Sequence, residues 1–144
     1  MLRVRAAAVV VQEGAILLVR HRKDDQEYFL LPGGGVEPGE TPEQALIREL
    51  AEETGLRAQP GRLLFETESI SPDRTRRIQQ QVFLCEADGC LMPGEDHRLA
   101  GAEFVGKSRF ANLTFYPNIK YEILQAWDRD FNVAFRCLDV PWED

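Results

Sequence analysis

Residues 33–56 read GGGVEPGETPEQALIRELAEETGL: three glycines, a turn, then a run carrying Glu37, Glu40, Glu43, Glu49, Glu52 and Glu53. Thr41 can cap a helix, Pro42 suits its first position, and Gln44 completes a T-x-x-Q capping box. Gly55 follows as the C-terminal stop. The pattern predicts a helix over residues 41–54. At about 100° per residue, Glu49, Glu52 and Glu53 fall within a sector of roughly 100°. Ala45 and Arg48 flank that sector, and Leu46, Ile47, Leu50, Ala51 and Thr54 lie opposite it. The expected helix turns one apolar face to a core and gathers three carboxylates on the other. Like charges one turn apart repel, by about a few tenths of a kcal/mol per pair. Arg48 offsets part of that, and a divalent cation offsets it better, because hard cations take carboxylate oxygens. Acids on a helix are by themselves an ordinary solvated face. The preceding glycines change the reading, since they let the backbone turn sharply or come close to something. A glycine loop feeding an acidic helix can supply carbonyls and carboxylates to one metal cluster.

Outward from this stretch, Val4 to Val11 is a dense β-branched run, and Ala15 to Val19 is apolar again across a Gly14-containing turn. The two read as a β-hairpin whose strands are buried on both faces. Arg20 to Glu27 reads as a charged loop, and Tyr28 to Leu31 as a short apolar run ended by Pro32. Strands are expected around Arg62–Ile70, Ile78–Glu86 and Ala102–Val105, with a final one over Val133–Leu138. A second helix is expected over Asn118–Trp127, with Ile119, Ile123, Leu124 and Trp127 on one stripe. The class is mixed α/β with a partly antiparallel sheet.

The chain has 144 residues, enough for one ordinary domain, and a net charge of −7. That charge argues against a nucleic-acid or membrane-surface binder, which needs a basic face. Cys85, Cys90 and Cys137 contain no CxxC pair and read as reduced, core-filling thiols. No signal peptide or spanning segment is evident, so a cytoplasmic location is expected.

Residues 34–56 resemble the Nudix box, G-x5-E-x7-R-E-U-x-E-E-x-G-U with U a bulky aliphatic. Gly34, Glu40, Arg48, Glu49, Leu50, Glu52, Glu53, Gly55 and Leu56 meet it without departure. A chance match has a probability on the order of 10⁻⁸ per start position. The resemblance implies one Nudix domain over residues 1–144, folded as an α/β/α sandwich with a mixed sheet and a loop–helix–loop motif. It implies magnesium-dependent hydrolysis, with manganese as an alternative metal, of a nucleoside diphosphate linked to another group X. The rival is a nucleotide-sensing, non-hydrolytic regulatory domain. The expected partner is a small-molecule nucleotide, with no membrane and no stable nucleic-acid partner; a homodimer is compatible with the family.

Carried over position by position, Glu49, Glu52 and Glu53 are the expected metal ligands, joined by the Gly33 carbonyl. Glu40 is a supporting acid that positions water, and Arg48 orients a neighbouring carboxylate by a charge-assisted hydrogen bond. Glu49 is the first choice for the general base. Glu95, Asp96 and Glu103 are downstream alternatives, Glu95 leading because PGED reads as an exposed loop. Arg20 and Arg22 are candidate phosphate contacts, as is Glu95 for the substrate. Arg74, Arg76 and Arg77 read rather as a solvated loop, Gln79, Gln80 and Gln81 as water-facing strand residues, and Tyr28, Phe29, Phe115 and Tyr116 as core. Pro72 lies 16 residues past Leu56, near the spacing at which ADP-ribose hydrolases of the family carry a proline; one proline in a turn discriminates poorly.

Overall fold

A computed structural model describes residues 1–92 and 99–143. Its strands are β1 (Leu2–Val9), β2 (Val11–Gln12), β3 (Ala15–Lys23), β4 (Gln26–Leu30), β5 (Gly33–Gly35), β6 (Arg57–Ile70), β7 (Arg77–Asp88), β8 (Leu99–Gly106) and β9 (Arg136–Asp139). Its helices are α1 (Pro42–Thr54), α2 (Lys107–Ala111) and α3 (Lys120–Trp127). One mixed sheet runs β5-β1-β7-β6-β9, and β3 pairs with β2, β4 and β8 in a second. The amide of Leu17 donates to the Val10 carbonyl at 2.9 Å and ties the two sheets together.

Helices cover both sides of this layer. Side chains alternate across a strand, and in β1 both sets are apolar. Ala6 and Ala8 pack with Leu46 and Leu50 of α1, while Ala7 and Val9 pack with Phe110, Ile123 and Ala126 on the α2–α3 side. The arrangement is the expected α/β/α sandwich, and the two-sided burial expected of the first strands is present.

Four expectations change. Val4–Val11 does not form a hairpin with Ala15–Val19; only Val11 and Gln12 pair with β3, while β1 crosses into the other sheet between β5 and β7. The charged stretch 20–27 is not a loop. It is a hairpin whose turn, Asp24 and Asp25, takes φ of 51° and 63°, the left-handed pair that matches strand twist. Its charges are tolerated because the strands end beyond the core. The glycines, read as a loop, form β5 along β1, and Val133 lies outside the last strand.

Among the described residues, no helix is long and apolar enough to cross a membrane. Of the cysteines only Cys85 is buried, with its thiol pushed up to about 12 by burial, while Cys90 and Cys137 are exposed.

Candidate functional site

α1 begins as the sequence predicts. Gln44 N donates to Thr41 Oγ1 at 3.1 Å and Thr41 N donates to Gln44 Oε1 at 2.9 Å. Gly55 closes the helix at φ 75°. The helix is rotated from the simple wheel, however. Ala45, Leu46, Leu50 and Thr54 are buried, whereas Ile47 is 41% exposed. The buried arc thus extends past Leu46 on the side of Glu49 and Glu53, so these carboxylates lie over β5 rather than opposite the core. Glycine makes this approach feasible. A Cβ on Gly34 would stand 2.3 Å from the Glu49 carboxyl carbon, and one on Gly33 would stand 2.1 Å from the Ala6 carbonyl oxygen.

Arg48 organises the carboxylates. It grips Glu40 in a fork, Nε to Oε2 at 2.8 Å and Nη2 to Oε1 at 2.9 Å. It also donates to Glu49 Oε1 at 2.8 Å and to the Gly35 carbonyl at 3.1 Å. Glu52 lies 3.6 Å from the same guanidinium and its side chain is 60% exposed. The Arg48 fork, and then the Glu37 amide, hold the Glu40 carboxyl down at about 2. Glu40 and then Glu49 hold the Arg48 guanidinium firmly charged. Both Glu40 oxygens are therefore engaged, and Glu40 acts on the site through Arg48.

Glu53 Oε1 accepts from the Gly33 amide at 2.8 Å. Since Gly33 N–H and the Gly35 carbonyl both turn outward from β1, the Gly33 carbonyl turns outward too, as both polar groups of a strand residue share a side. Among the described residues, no three carboxylate, imidazole or thiol groups converge on one point. Glu49 leans to Arg48, Glu53 to the Gly33 amide, and Glu52 to solvent. Mutual repulsion accounts for that splaying. The donors are all hard oxygens along one helix–strand seam, and the Glu52 side chain is 60% exposed. That set fits a hard divalent cation.

The other candidates are placed as follows. Arg20 and Arg22 sit on β3 and both engage Glu27 Oε2, at 3.3 and 3.1 Å. Glu103 on β8 is held by Arg109 at 2.9 Å. Glu95 and Asp96 lie outside the described residues. Arg74, Arg76 and Arg77 line a cavity of about 330 Å³, with Arg76 over the Trp142 ring and Arg77 on Glu68 at 3.1 Å. Phe29 and Phe115 are core, whereas Tyr28 and Tyr116 are half-buried and meet edge-on at 5.7 Å. The glutamines do not face open water: all three are half-buried, Gln80 accepts from Arg5, and Gln79 donates to Glu68. Sequence reasoning passed over Arg3 and Arg5. The available signal was two arginines at strand spacing leading into an otherwise buried strand.

The NUDIX domain family matches residues 1–127. An ADP-ribose pyrophosphatase of Methanocaldococcus jannaschii is 34% identical over 109 residues, 74% of this chain and 63% of that protein. The chain thus spans less than two thirds of that relative's length. A putative 8-oxo-dGTP diphosphatase of Bacillus subtilis is 31% identical over 139 residues, 96% of this chain and 86% of that one. Among solved structures, a NUDIX hydrolase from Nitrosomonas europaea superposes with a TM-score of 0.78 at 20% identity, covering 90% of each chain.

Proposed function

The chain belongs to the Nudix family, and from that premise we propose that residues 1–144 act as one domain that hydrolyses the pyrophosphate bond of a nucleoside diphosphate linked to X. The observation that carries this is the α1–β5 seam, where Arg48 orders Glu40 and Glu49 beside Glu52, Glu53 and the Gly33 carbonyl. The names of the similar proteins, an ADP-ribose pyrophosphatase and a putative 8-oxo-dGTP diphosphatase, support nucleotide sugars and nucleoside triphosphates as the first substrates to try.

Glu49, Glu52, Glu53 and the Gly33 carbonyl would hold the divalent cation, magnesium or else manganese. When bound, that ion neutralises phosphate charge and lowers the pKa of water. The chain's own work is positioning and proton transfer. Arg48 fixes Glu49 through Oε1, which leaves Oε2 to take the proton from the attacking water. Glu40 keeps Arg48 in place. Gly34 keeps open the space that the Glu49 carboxylate occupies. Attack at phosphorus breaks a bridging P–O bond and releases two phosphate products.

The test is phosphate-coupled turnover across canonical and oxidised nucleoside triphosphates, ADP-ribose, sugar nucleotides, NADH and dinucleoside polyphosphates. Each is run with magnesium and with chelator. Metal-dependent release from one class is expected. Tight binding of one ligand by folded protein, with no release from any, would replace this reading with a nucleotide-sensing domain.

A further inference from the structure

Arg3 and Arg5 stand two residues apart on β1, so they share one face of the sheet. It is the face opposite Ala6 and Ala8, which pack under α1. Beside them the sheet ends in β5, whose residues carry no side chains. Arg5 registers with Gly35, and a Cβ at Gly35 would lie 3.3 Å from Arg3 Nη2. Arg5 is half-buried, and among the described residues its side chain makes one hydrogen bond, Nε to Gln80 Oε1 at 3.3 Å. Gln80 is its register neighbour on β7. The Nη groups of Arg5 are therefore donors with no protein acceptor among the described residues.

Two guanidinium groups side by side repel, and burial adds to the penalty. Burial, and then Arg3, weaken the hold of Arg5 on its proton, while the fields of Glu53 and Glu49 oppose them. The charges that compensate Arg5 are thus the carboxylates assigned above to the cation. Once a cation shares those carboxylates, Arg3 and Arg5 become a net positive ledge at the β5 edge. The ligand that answers a cation on one side of a three-residue strand and arginines on the other is a chain of linked phosphates.

We propose that Arg5, backed by Arg3, binds the substrate phosphate that the cation does not neutralise, reaching it past the side-chain-free edge of β5. This rests on the hydrolase reading above. It makes Arg5 a substrate-contacting residue, and it makes cation and oligophosphate binding mutually reinforcing: each removes a charge that opposes the other.

The experiment compares Arg5→Met, Arg5→Lys and Arg3→Met with wild type by two routes. One is KM and kcat on whichever nucleotide the panel identifies. The other is calorimetric binding of methylenediphosphonate, a non-hydrolysable diphosphate, with and without magnesium. Arg5→Met should raise KM and the diphosphonate Kd about tenfold or more, as expected for lost charged hydrogen bonds. The rise in KM should exceed the fall in kcat, and Arg5→Lys should recover part of it. Arg3→Met, at an exposed position, should move both the same way by about threefold, and it decides the matter if Arg5→Met does not fold. Magnesium should tighten diphosphonate binding in wild type more than in Arg5→Met. Constants within about twofold of wild type for these variants overturn the proposal. Wild type that binds diphosphonate through Arg5 yet hydrolyses nothing overturns the hydrolase reading alone. Hydrolysis that is indifferent to both arginines overturns this inference alone.

Discussion

Arg48 joins three groups that come from different places in the chain: Glu40 before the helix, Glu49 on it, and the Gly35 carbonyl on β5. Lysine at 48 keeps the charge and loses the fork. If Glu49 is a metal ligand as proposed, Arg48→Lys is expected to raise the divalent-cation concentration needed for half-activity by about 10- to 100-fold, the usual effect of losing a group that orients a metal ligand. A metal titration of turnover reads this directly. Glu53→Gln is expected to lower turnover at least about a hundredfold while leaving thermal unfolding near that of wild type. Near-normal rates would overturn the proposal that Glu53 is a metal ligand. The Glu40 carboxyl supplies a pH test. Its folded value is about 2 against an ordinary 4.5, so it titrates below its unfolded value. Its contribution to stability is complete above 4.5 and is lost as pH falls from there towards about 2. The Tm difference between wild type and Glu40→Gln should shrink across that window. A gap that stays constant would show that the Arg48 fork does not set the Glu40 pKa.

Two elements meet at the site, and each is built from local rules. Thr41 and Gln44 satisfy helix-end amides reciprocally, and Thr41→Ala is expected to lower stability by about 1 kcal/mol in denaturant melts. The effect on turnover should be small, because Leu46 and Leu50 anchor the helix further along. β5 obeys a steric rule. Gly34→Ala puts a methyl where the Glu49 carboxyl sits, so Glu49 must leave Arg48 or the strand must leave the helix. Turnover should fall by more than about tenfold, and a crystal structure of the variant should show Glu49 displaced. Full activity in Gly34→Ala would mean that Glu49 works from another rotamer.

In the whole molecule, α1 is pressed on the sheet by a core that β1 shares with both sides. Leu46 and Leu50 are 0% exposed, and burying each stabilises by about 1.5–3 kcal/mol. That exceeds the capping contribution, so packing rather than helix propensity holds the glutamates in place. Leu50→Ala is expected to lower unfolding free energy by about 2–5 kcal/mol. The midpoint of urea unfolding measures it. β9 lies beyond the residues that the family match covers, yet Arg136 to Asp139 pair in parallel with β6. The tail is therefore part of the sheet.

The α1 segment was legible from sequence alone, because caps, a helical period and a spaced set of acids are local facts. Thr41, Gln44 and Gly55 fall where their chemistry requires, and the box from Gly34 to Leu56 is by itself enough to point to the family. The rest depends on which strands become neighbours. Gly33–Gly35 has no apolar period to mark a strand, and becomes one only because β1 offers it unpaired hydrogen-bonding groups. The helical wheel of α1 alone puts Glu49, Glu52 and Glu53 away from the core. Glu52 does face solvent, but Glu49 and Glu53 lie over β5, since a partner without side chains leaves room for carboxylates inside the contact. Likewise, nothing in the local pattern ties Arg5 to Glu49 and Glu53, which are more than forty residues away along the chain. Local chemistry thus determined which groups the protein carries, and long-range strand pairing decided which of them face one another.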